Sequence, residues 1–217
     1  MTFSSVGVVG SGPLAIAISI AIARHGTPVV VIRNAHGELE RAETRIDARL
    51  RFFVDTGELS DAQASTARRA ITLSRISDEL SHCDLVIESI SGDIRARRAL
   101  LATLENRLSP GAVLATNSPP ESLALLAEVL RRRDQFVGLY FTRGRHSQPP
   151  PDAHAKPAAR TSPIANPLLE LSVLPDTAPG VAFGCQAFAQ SVGTIRIAQS
   201  QAVAMEYREF LSVSQGA

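Results

Sequence analysis

Apolar and polar positions in the first third of the chain follow an order of short, long and short apolar segments. Val6 to Val9 is a short β-branched run bounded by glycine, and Pro28 to Ile32 is a second apolar run. Between them, Leu14 to Arg24 is apolar and alanine-rich over the length of a helix, and Gly26 ends it. The pattern predicts a strand, a crossover helix and a second strand, and a right-handed crossover places the two strands side by side.

The alternation continues along the chain. Apolar residues between positions 37 and 53 recur at spacings of three and four and predict a surface helix. Further strands are predicted at residues 71–73, 84–88, 112–115, 135–139 and 194–198, with an apolar pattern at 168–174. Further helices are predicted at residues 93–108, 121–131, 181–191 and 202–213. Strands alternating with helices predict a doubly wound, mostly parallel α/β sheet of the Rossmann type. We assign residues 1–200 to this single domain and residues 201–217 to a C-terminal helix.

Residues 143–163 differ in composition from the rest of the chain. They contain five prolines among Arg, His, Ser and Ala. Such a segment can bury too little apolar area to offset the conformational entropy that it would lose on ordering. The sequence therefore predicts a flexible proline-rich loop inserted into the domain. Two interpretations stay open for it: a lid or docking strip for a carrier protein, or a disordered insertion.

Charge and cysteine usage exclude several classes of function. The 22 Lys and Arg residues against 21 Asp and Glu give a net charge of +1, which argues against nucleic-acid or anionic-membrane partners. Cys83 and Cys185 are far apart and belong to no CxxC or His/Cys cluster, so neither a disulfide framework nor a metal site is predicted. The apolar segment at residues 14–23 is too short to span a bilayer and lacks a secretory leader. We expect a cytoplasmic protein.

A glycine turn between the first strand and the first helix carries the clearest chemistry. Its GxGxxA spacing predicts that the diphosphate of a dinucleotide binds at Gly10, Ser11, Gly12, Pro13, Leu14 and Ala15. The first glycine makes the turn, the second admits the diphosphate, and the helix N-terminus attracts its charge. Pro13 removes one N–H donor from this place. The alternative is a tight turn with a purely structural role.

The end of the second strand indicates which dinucleotide is bound. NAD-binding domains usually carry Asp or Glu there to bind the ribose hydroxyls, whereas this chain carries Arg33. A guanidinium can pair with a 2′-phosphate and stack on adenine, and Asn34 adds a donor. NADP is therefore favoured over NAD. Alternatively, Arg33 is a solvated residue in a domain that has lost cofactor selectivity or binding.

Several spaced segments between the second strand and residue 140 form a recognisable series. They are Thr56-Gly57-Glu58-Leu59, Arg75-Ile76, Cys83-Asp84-Leu85-Val86-Ile87-Glu88, Arg97-Arg98, Ala115-Thr116-Asn117-Ser118 and Val137-Gly138-Leu139. In this order, the segments resemble the NAD-binding domain of the 3-hydroxyacyl-CoA dehydrogenase family. The resemblance extends to about residue 200. It implies hydride transfer between NAD(P) and a 3-hydroxyacyl or 3-ketoacyl thioester, carried by CoA or a carrier protein. It also implies that Glu88 and Asn117 lie at the cofactor.

At some of the positions that are catalytic in the family, this chain carries different residues. Tyr140 stands where the family has its general-base His, Glu170 matches the Glu that orients that His, and Pro119 replaces a serine that contacts substrate and nicotinamide. We expect no counterpart of the family's helical C-terminal domain, which supplies the acyl cleft and the dimer contact. One hypothesis is an oxidoreductase in which Tyr140 and Glu170 are catalytic, with Tyr140 donating a proton to a carbonyl.

Two further hypotheses stay open beside this one. The chain is a nucleotide-binding or scaffold homologue without turnover, in which Tyr140 only fills space. Otherwise, a homodimer or a partner chain completes the cleft.

Overall fold

A computed structural model describes residues 2–32, 39–75, 77–142 and 167–197. The strands in these ranges are β1 (Val6–Val9), β2 (Val29–Ile32), β3 (Ile71–Ser74), β4 (Leu85–Glu88), β5 (Val113–Thr116), β6 (Phe136–Thr142), β7 (Leu168–Val173) and β8 (Thr194–Ile197). The α-helices are α1 (Pro13–Ala23), α2 (Leu39–Asp55), α3 (Asp61–Ala70), α4 (Ile94–Glu105), α5 (Leu123–Ala127) and α6 (Pro179–Val192). Short 3₁₀ turns lie at Ser77–His82, Pro120–Ser122 and Arg133–Gln135.

All eight described strands join one sheet in the order β3-β2-β1-β4-β5-β6-β7-β8. Strands β1 to β6 are parallel to their neighbours, β7 runs antiparallel to β6, and β8 is parallel to β7. The predicted doubly wound, mostly parallel Rossmann-type sheet is thus confirmed. The strand order reverses between β1 and β4. In sheets of this kind, ligands bind in the crevice outside the carboxyl ends of the strands at that reversal.

Burial explains why these segments form the centre of the sheet. All four residues of β1, β4 and β5 are buried, as expected for parallel strands covered by helices on both faces. Helix α1 is buried from Ala15 to Ala23, so it is apolar on all sides. One core cluster joins α1, α2, α3 and α6 to one face of the sheet, and a second joins α4 and α5 to the other. None of the described helices is long and apolar enough to cross a membrane.

Two helices differ from the sequence-based expectations. Helix α3 was not predicted, because it is short and polar. It begins at a capping box in which the Ser60 hydroxyl accepts from the Gln63 N–H and the Gln63 side chain accepts from the Ser60 N–H. The helix predicted at 121–131 is wrong in extent, since only Leu123–Ala127 is α-helical.

A buried carboxylate explains why that second helix ends early. Glu105 accepts hydrogen bonds from the N–H groups of Arg131 at 2.9 Å and Arg132 at 2.7 Å, which are thereby withdrawn from a helical ladder. Burial by itself raises the pKa of Glu105, but the backbone N–H groups of Arg132 and Arg131 outweigh it, and the pKa is lowered overall. The predicted proline-rich loop and the predicted C-terminal helix lie outside the described residues.

Candidate functional site

The glycine turn follows β1 directly, at the point where the strand order reverses. Gly10 has φ +133°, and its N–H donates to the Ile32 carbonyl at 2.8 Å. A Cβ at Gly10 would lie only 2.5 Å from the Ser89 carbonyl oxygen and 3.5 Å from the Cβ of Ala15. Both the backbone conformation and the close approach therefore require glycine here. The turn packs against the loop that follows β4.

Gly12, unlike Gly10, has free space around the position that a Cβ would take. A Cβ at this position would have no atom within 4 Å, and its backbone angles, φ −71° and ψ 171°, suit any residue. The protein itself therefore does not demand glycine at Gly12, and the open space lies at the N-terminus of α1. No side chain caps this terminus, and no acidic residue stands in its first turn. Pro13 occupies the first helical position, where its missing N–H costs no helical hydrogen bond.

The helix N-terminus fits a diphosphate by its donors as well as by its space. The first intrahelical bond described runs from the Ile16 N–H to the Gly12 carbonyl at 3.0 Å. The N–H groups of Gly12, Leu14 and Ala15 precede it and have no helical acceptor. Leu14 is 40% exposed and Ala15 is buried, so neither side chain closes the cradle around Gly12. The positive end of the helix adds to the attraction for an anion.

Next to this turn, Glu88 ends β4 with a side chain that is completely buried. Its carboxylate accepts from the Thr116 hydroxyl at 2.7 Å and from the Ile90 N–H at 2.8 Å. Arg97 of α4 lies 3.7 Å away as counter-ion and also donates to the Ser118 hydroxyl and the Ile90 carbonyl. Both carboxylate oxygens are therefore engaged within the protein. The contact between Glu88 and a cofactor stays a prediction.

Asn117, at the end of β5, ties three strands together. Its side-chain carbonyl accepts from the Phe141 N–H at 2.9 Å, and its amide donates to the Ser89 hydroxyl at 3.2 Å. Its own N–H donates to the Glu88 carbonyl at 2.8 Å. Asn117 is 6% exposed, so these bonds hold the ends of β4, β5 and β6 in fixed relation. Its predicted role in cofactor binding stays a prediction.

Tyr140 and Glu170 are direct neighbours on two adjacent strands of the sheet. The antiparallel register of β6 and β7 pairs these two residues directly, although 29 residues separate them in the chain. Directly opposed residues have Cβ atoms roughly 5 Å apart and share a face of the sheet. Both side chains are half-buried. The structure thus brings together the two residues that the resemblance implied, while their catalytic role stays a prediction.

The face that carries this pair can be identified from Gly138, two residues before Tyr140. A Cβ at Gly138 would lie 3.6 Å from Leu123 of α5, so this is the face that α5 covers. Because side chains alternate along a strand, Tyr140 points to the same face, nearer the carboxyl end. The glycine turn after β1, Glu88 at the end of β4, Asn117 after β5 and Tyr140 within β6 therefore lie in strand order near the carboxyl edge of the sheet. Adjacent strands lie about 4.8 Å apart, so this row is about 14 Å long.

Some predicted residues are not brought into this row by the described structure. Arg33 and Asn34 lie outside the described residues, and Pro119 is exposed in the loop after β5. Sequence reasoning missed Thr116 and Arg97 as partners of the Glu88 carboxylate. It also missed Ser118, whose hydroxyl bonds to both of these partners. A usable signal existed, because polar residues at the ends of two buried neighbouring strands need internal partners. Within the described ranges, no group of three His, Cys, Asp or Glu residues could hold a metal ion.

Comparison with known proteins assigns the chain to a family. Residues 5–149 match the family model described as the NAD-binding domain of 3-hydroxyacyl-CoA dehydrogenase, well over half of the chain. This chain belongs to that family. The 3-hydroxyacyl-CoA dehydrogenase NAD-binding domain therefore includes both the glycine turn and Tyr140.

Similar proteins agree with this assignment over part of their length. The fatty acid oxidation complex subunit alpha of Pseudomonas putida is 28% identical over 142 residues, which is 65% of this chain and 20% of that protein. The chain therefore spans about a fifth of the length of the curated relatives it matches.

Solved structures share the fold of the NAD-binding domain. The (S)-3-hydroxybutyryl-CoA dehydrogenase PaaH1 from Ralstonia eutropha superposes with a TM-score of 0.76 at 21% identity, over 90% of this chain and 63% of that one. FadB2 of M. tuberculosis gives a TM-score of 0.76 at 24% identity, over 91% and 64%.

The buried carboxylate of Glu88 gives a stability prediction. Glu88→Gln removes the counter-charge of Arg97 and one acceptor, so we expect a loss of about 3 kcal/mol in the free energy of unfolding. Glu128→Gln is the matched control, because Glu128 forms a 2.8 Å ion pair with Arg98 but has a 55% exposed side chain. Its loss should stay below about 1 kcal/mol. Urea unfolding measures both, and equal losses would contradict a dominant role for the buried pair.

Proposed function

We propose that this domain binds a nicotinamide dinucleotide with its diphosphate at the glycine turn. The observation that carries the proposal is the open space in front of Gly12, at an uncapped helix N-terminus beside the reversal of strand order. The N–H groups of Gly12, Leu14 and Ala15 are the donors for the diphosphate. Membership of an NAD-binding family supports this use of the turn.

For the preference between the two dinucleotides, we propose NADP over NAD. Arg33 follows the last residue of β2, which pairs with β1 beside the glycine turn. This is the position from which an acidic side chain binds the ribose hydroxyls in NAD-binding domains. A guanidinium cannot accept those hydrogen bonds, but it pairs well with a 2′-phosphate.

Nucleotide titration of the full chain tests the first proposal. The wild-type protein should bind NADPH or NADH with an increase in nicotinamide fluorescence. Gly12→Ala should raise the Kd by at least about tenfold, because the added methyl group enters the diphosphate cradle. Thermal unfolding should be unchanged in this variant, because the backbone angles and the open space tolerate alanine. If the wild type binds neither nucleotide at high micromolar concentration, the proposal fails.

The charge at the end of β2 gives a separate prediction. Arg33→Asp should reverse the preference, so that NADH binds more tightly than NADPH, because a carboxylate accepts from ribose hydroxyls and repels a 2′-phosphate. The ratio of the two Kd values measures this directly. A ratio that does not change in the variant would support the alternative that Arg33 is only a solvated residue.

For the reaction, we propose an oxidoreductase that interconverts 3-hydroxyacyl and 3-ketoacyl thioesters. A bound nicotinamide supplies or accepts the hydride at the β-carbon of the acyl chain. In the direction of reduction, the Tyr140 hydroxyl donates its proton to the ketone oxygen. Glu170, directly opposite on β7, positions the phenol. The names of the relatives support an acyl-CoA substrate, and an acyl group on a carrier protein has the same reacting atoms.

The proposal also includes the cellular compartment of the reaction and the chain that completes its substrate site. Cys83 and Cys185 are buried and unpaired, which suits a reducing compartment such as the cytoplasm. A second copy of the chain or a partner chain completes the acyl cleft over the carboxyl edge of the sheet.

A pair of variants tests the roles of Tyr140 and Glu170. Tyr140→Phe should lower kcat for 3-ketoacyl-thioester reduction by about 10²-fold or more, because it removes the proton donor and little else. Glu170→Gln should lower kcat less, since it leaves that donor in place. Neither change should alter the Kd for the nucleotide. An unchanged kcat in Tyr140→Phe would remove this hydroxyl from the mechanism.

A second candidate function is a nucleotide-binding homologue without turnover. The presence of Tyr140 where the family has its catalytic His favours this candidate, because imidazole is the usual general base in enzymes and a phenol is a poor substitute for it. Tight nucleotide binding together with no oxidation or reduction of acyl thioesters would support it over the enzyme.

A further inference from the structure

A basic side chain of α2 reaches the glycine turn from the side of β2. Arg45 Nη1 donates to the Ser11 carbonyl at 3.0 Å, and the Arg45 side chain is otherwise exposed. Ser11 lies between Gly10 and Gly12. The guanidinium therefore stands beside the open space in front of Gly12, at the end of the site that carries the adenosine half of a dinucleotide in this fold.

The positive charge of Arg45 is not neutralised within the described chain. The carboxylates nearest to Arg45 in sequence on the same helix, Glu43 and Asp47, pair with Arg68 of α3 at 3.5 and 2.8 Å. Among the residues that the structure describes, no carboxylate forms an ion pair with Arg45. A guanidinium has five N–H donors, and the bond to Ser11 uses one. Within the described ranges, the remaining donors and the charge have no carboxylate partner, so they can serve an anion.

The glycine turn benefits from such a cation. Pro13 takes one N–H away from the cradle, and α1 has no acidic residue in its first turn that would occupy a cation. The bond from Arg45 also draws the Ser11 carbonyl toward α2. Because a carbonyl repels phosphate oxygens, this orientation favours an anion in front of the turn.

We infer that Arg45 is a phosphate-binding residue of the dinucleotide site. It holds the turn through the Ser11 carbonyl and uses its other N–H groups to bind a phosphate of the adenosine half. The phosphate is either the diphosphate or the 2′-phosphate of NADP, and both have the same chemistry. This inference rests on the proposed nucleotide binding and adds to it a residue outside the GxGxxA segment and the end of β2.

Titration of the full-length Arg45→Gln variant with NADH and NADPH tests the inference. Loss of one charge-assisted hydrogen bond should raise the Kd by roughly tenfold. A similar rise for both nucleotides assigns Arg45 to the diphosphate, and a rise for NADPH alone assigns it to the 2′-phosphate. Arg51→Gln is the matched control, because Arg51 is exposed on the same helix and is rotated about 240° from Arg45. Its Kd values should equal those of the wild type.

The salt dependence of binding separates phosphate contact from a merely structural effect on the turn. If Arg45 contacts a phosphate, the Kd of the wild type should rise more steeply with salt concentration than that of Arg45→Gln. A higher Kd with an unchanged salt dependence would overturn the inference, as would unchanged Kd values. A wild-type protein that binds neither nucleotide refutes the proposed function instead, so the two failures are distinguishable.

Discussion

A carboxylate without access to water, at the middle of the sheet edge, is the constraint on which the site depends. Burial of the Glu88 side chain is tolerated only because hydrogen bonds and a counter-charge reach it. Thr116 of β5, the backbone after β4 and Arg97 of α4 provide them. These bonds fix three segments relative to one another. The Gly10 turn packs against Ser89, the residue after Glu88, so the cradle in front of Gly12 is held against the same network.

Much of the sheet could be predicted because its strands are buried on both faces. Strands β1, β4 and β5 are apolar apart from the last residue of β4 and of β5, and glycine bounds β1, so local pattern was sufficient. The turn at Gly10 could be predicted equally well, because the GxGxxA spacing reflects a local requirement of the backbone. The pairing of Tyr140 with Glu170 could not be read from periodicity. The family resemblance implied that the two residues act together, and the antiparallel register of β6 and β7 places them side by side.

The features that local pattern missed depend on contacts between distant residues. The early end of α5 reflects Glu105, which lies 26 residues before Arg131 in the chain and accepts its N–H. The role of Arg97 depends on the neighbouring ends of β4 and β5, and that of Arg45 on the packing of α2 beside the glycine turn. Such partners become visible only after the strands are placed in order. Helix α3 is a different case, because its capping box was present in the sequence and its polar composition hid it.

The antiparallel placement of β7 beside β6 has a consequence for how this domain can change. Ladder hydrogen bonds between the two strands determine which residues stand opposite each other, and the length of the connecting segment does not enter. Residues can therefore be gained or lost between Thr142 and Leu168 without moving the phenol away from the carboxylate. The residues around this pair can therefore change during evolution while the two side chains keep their alignment.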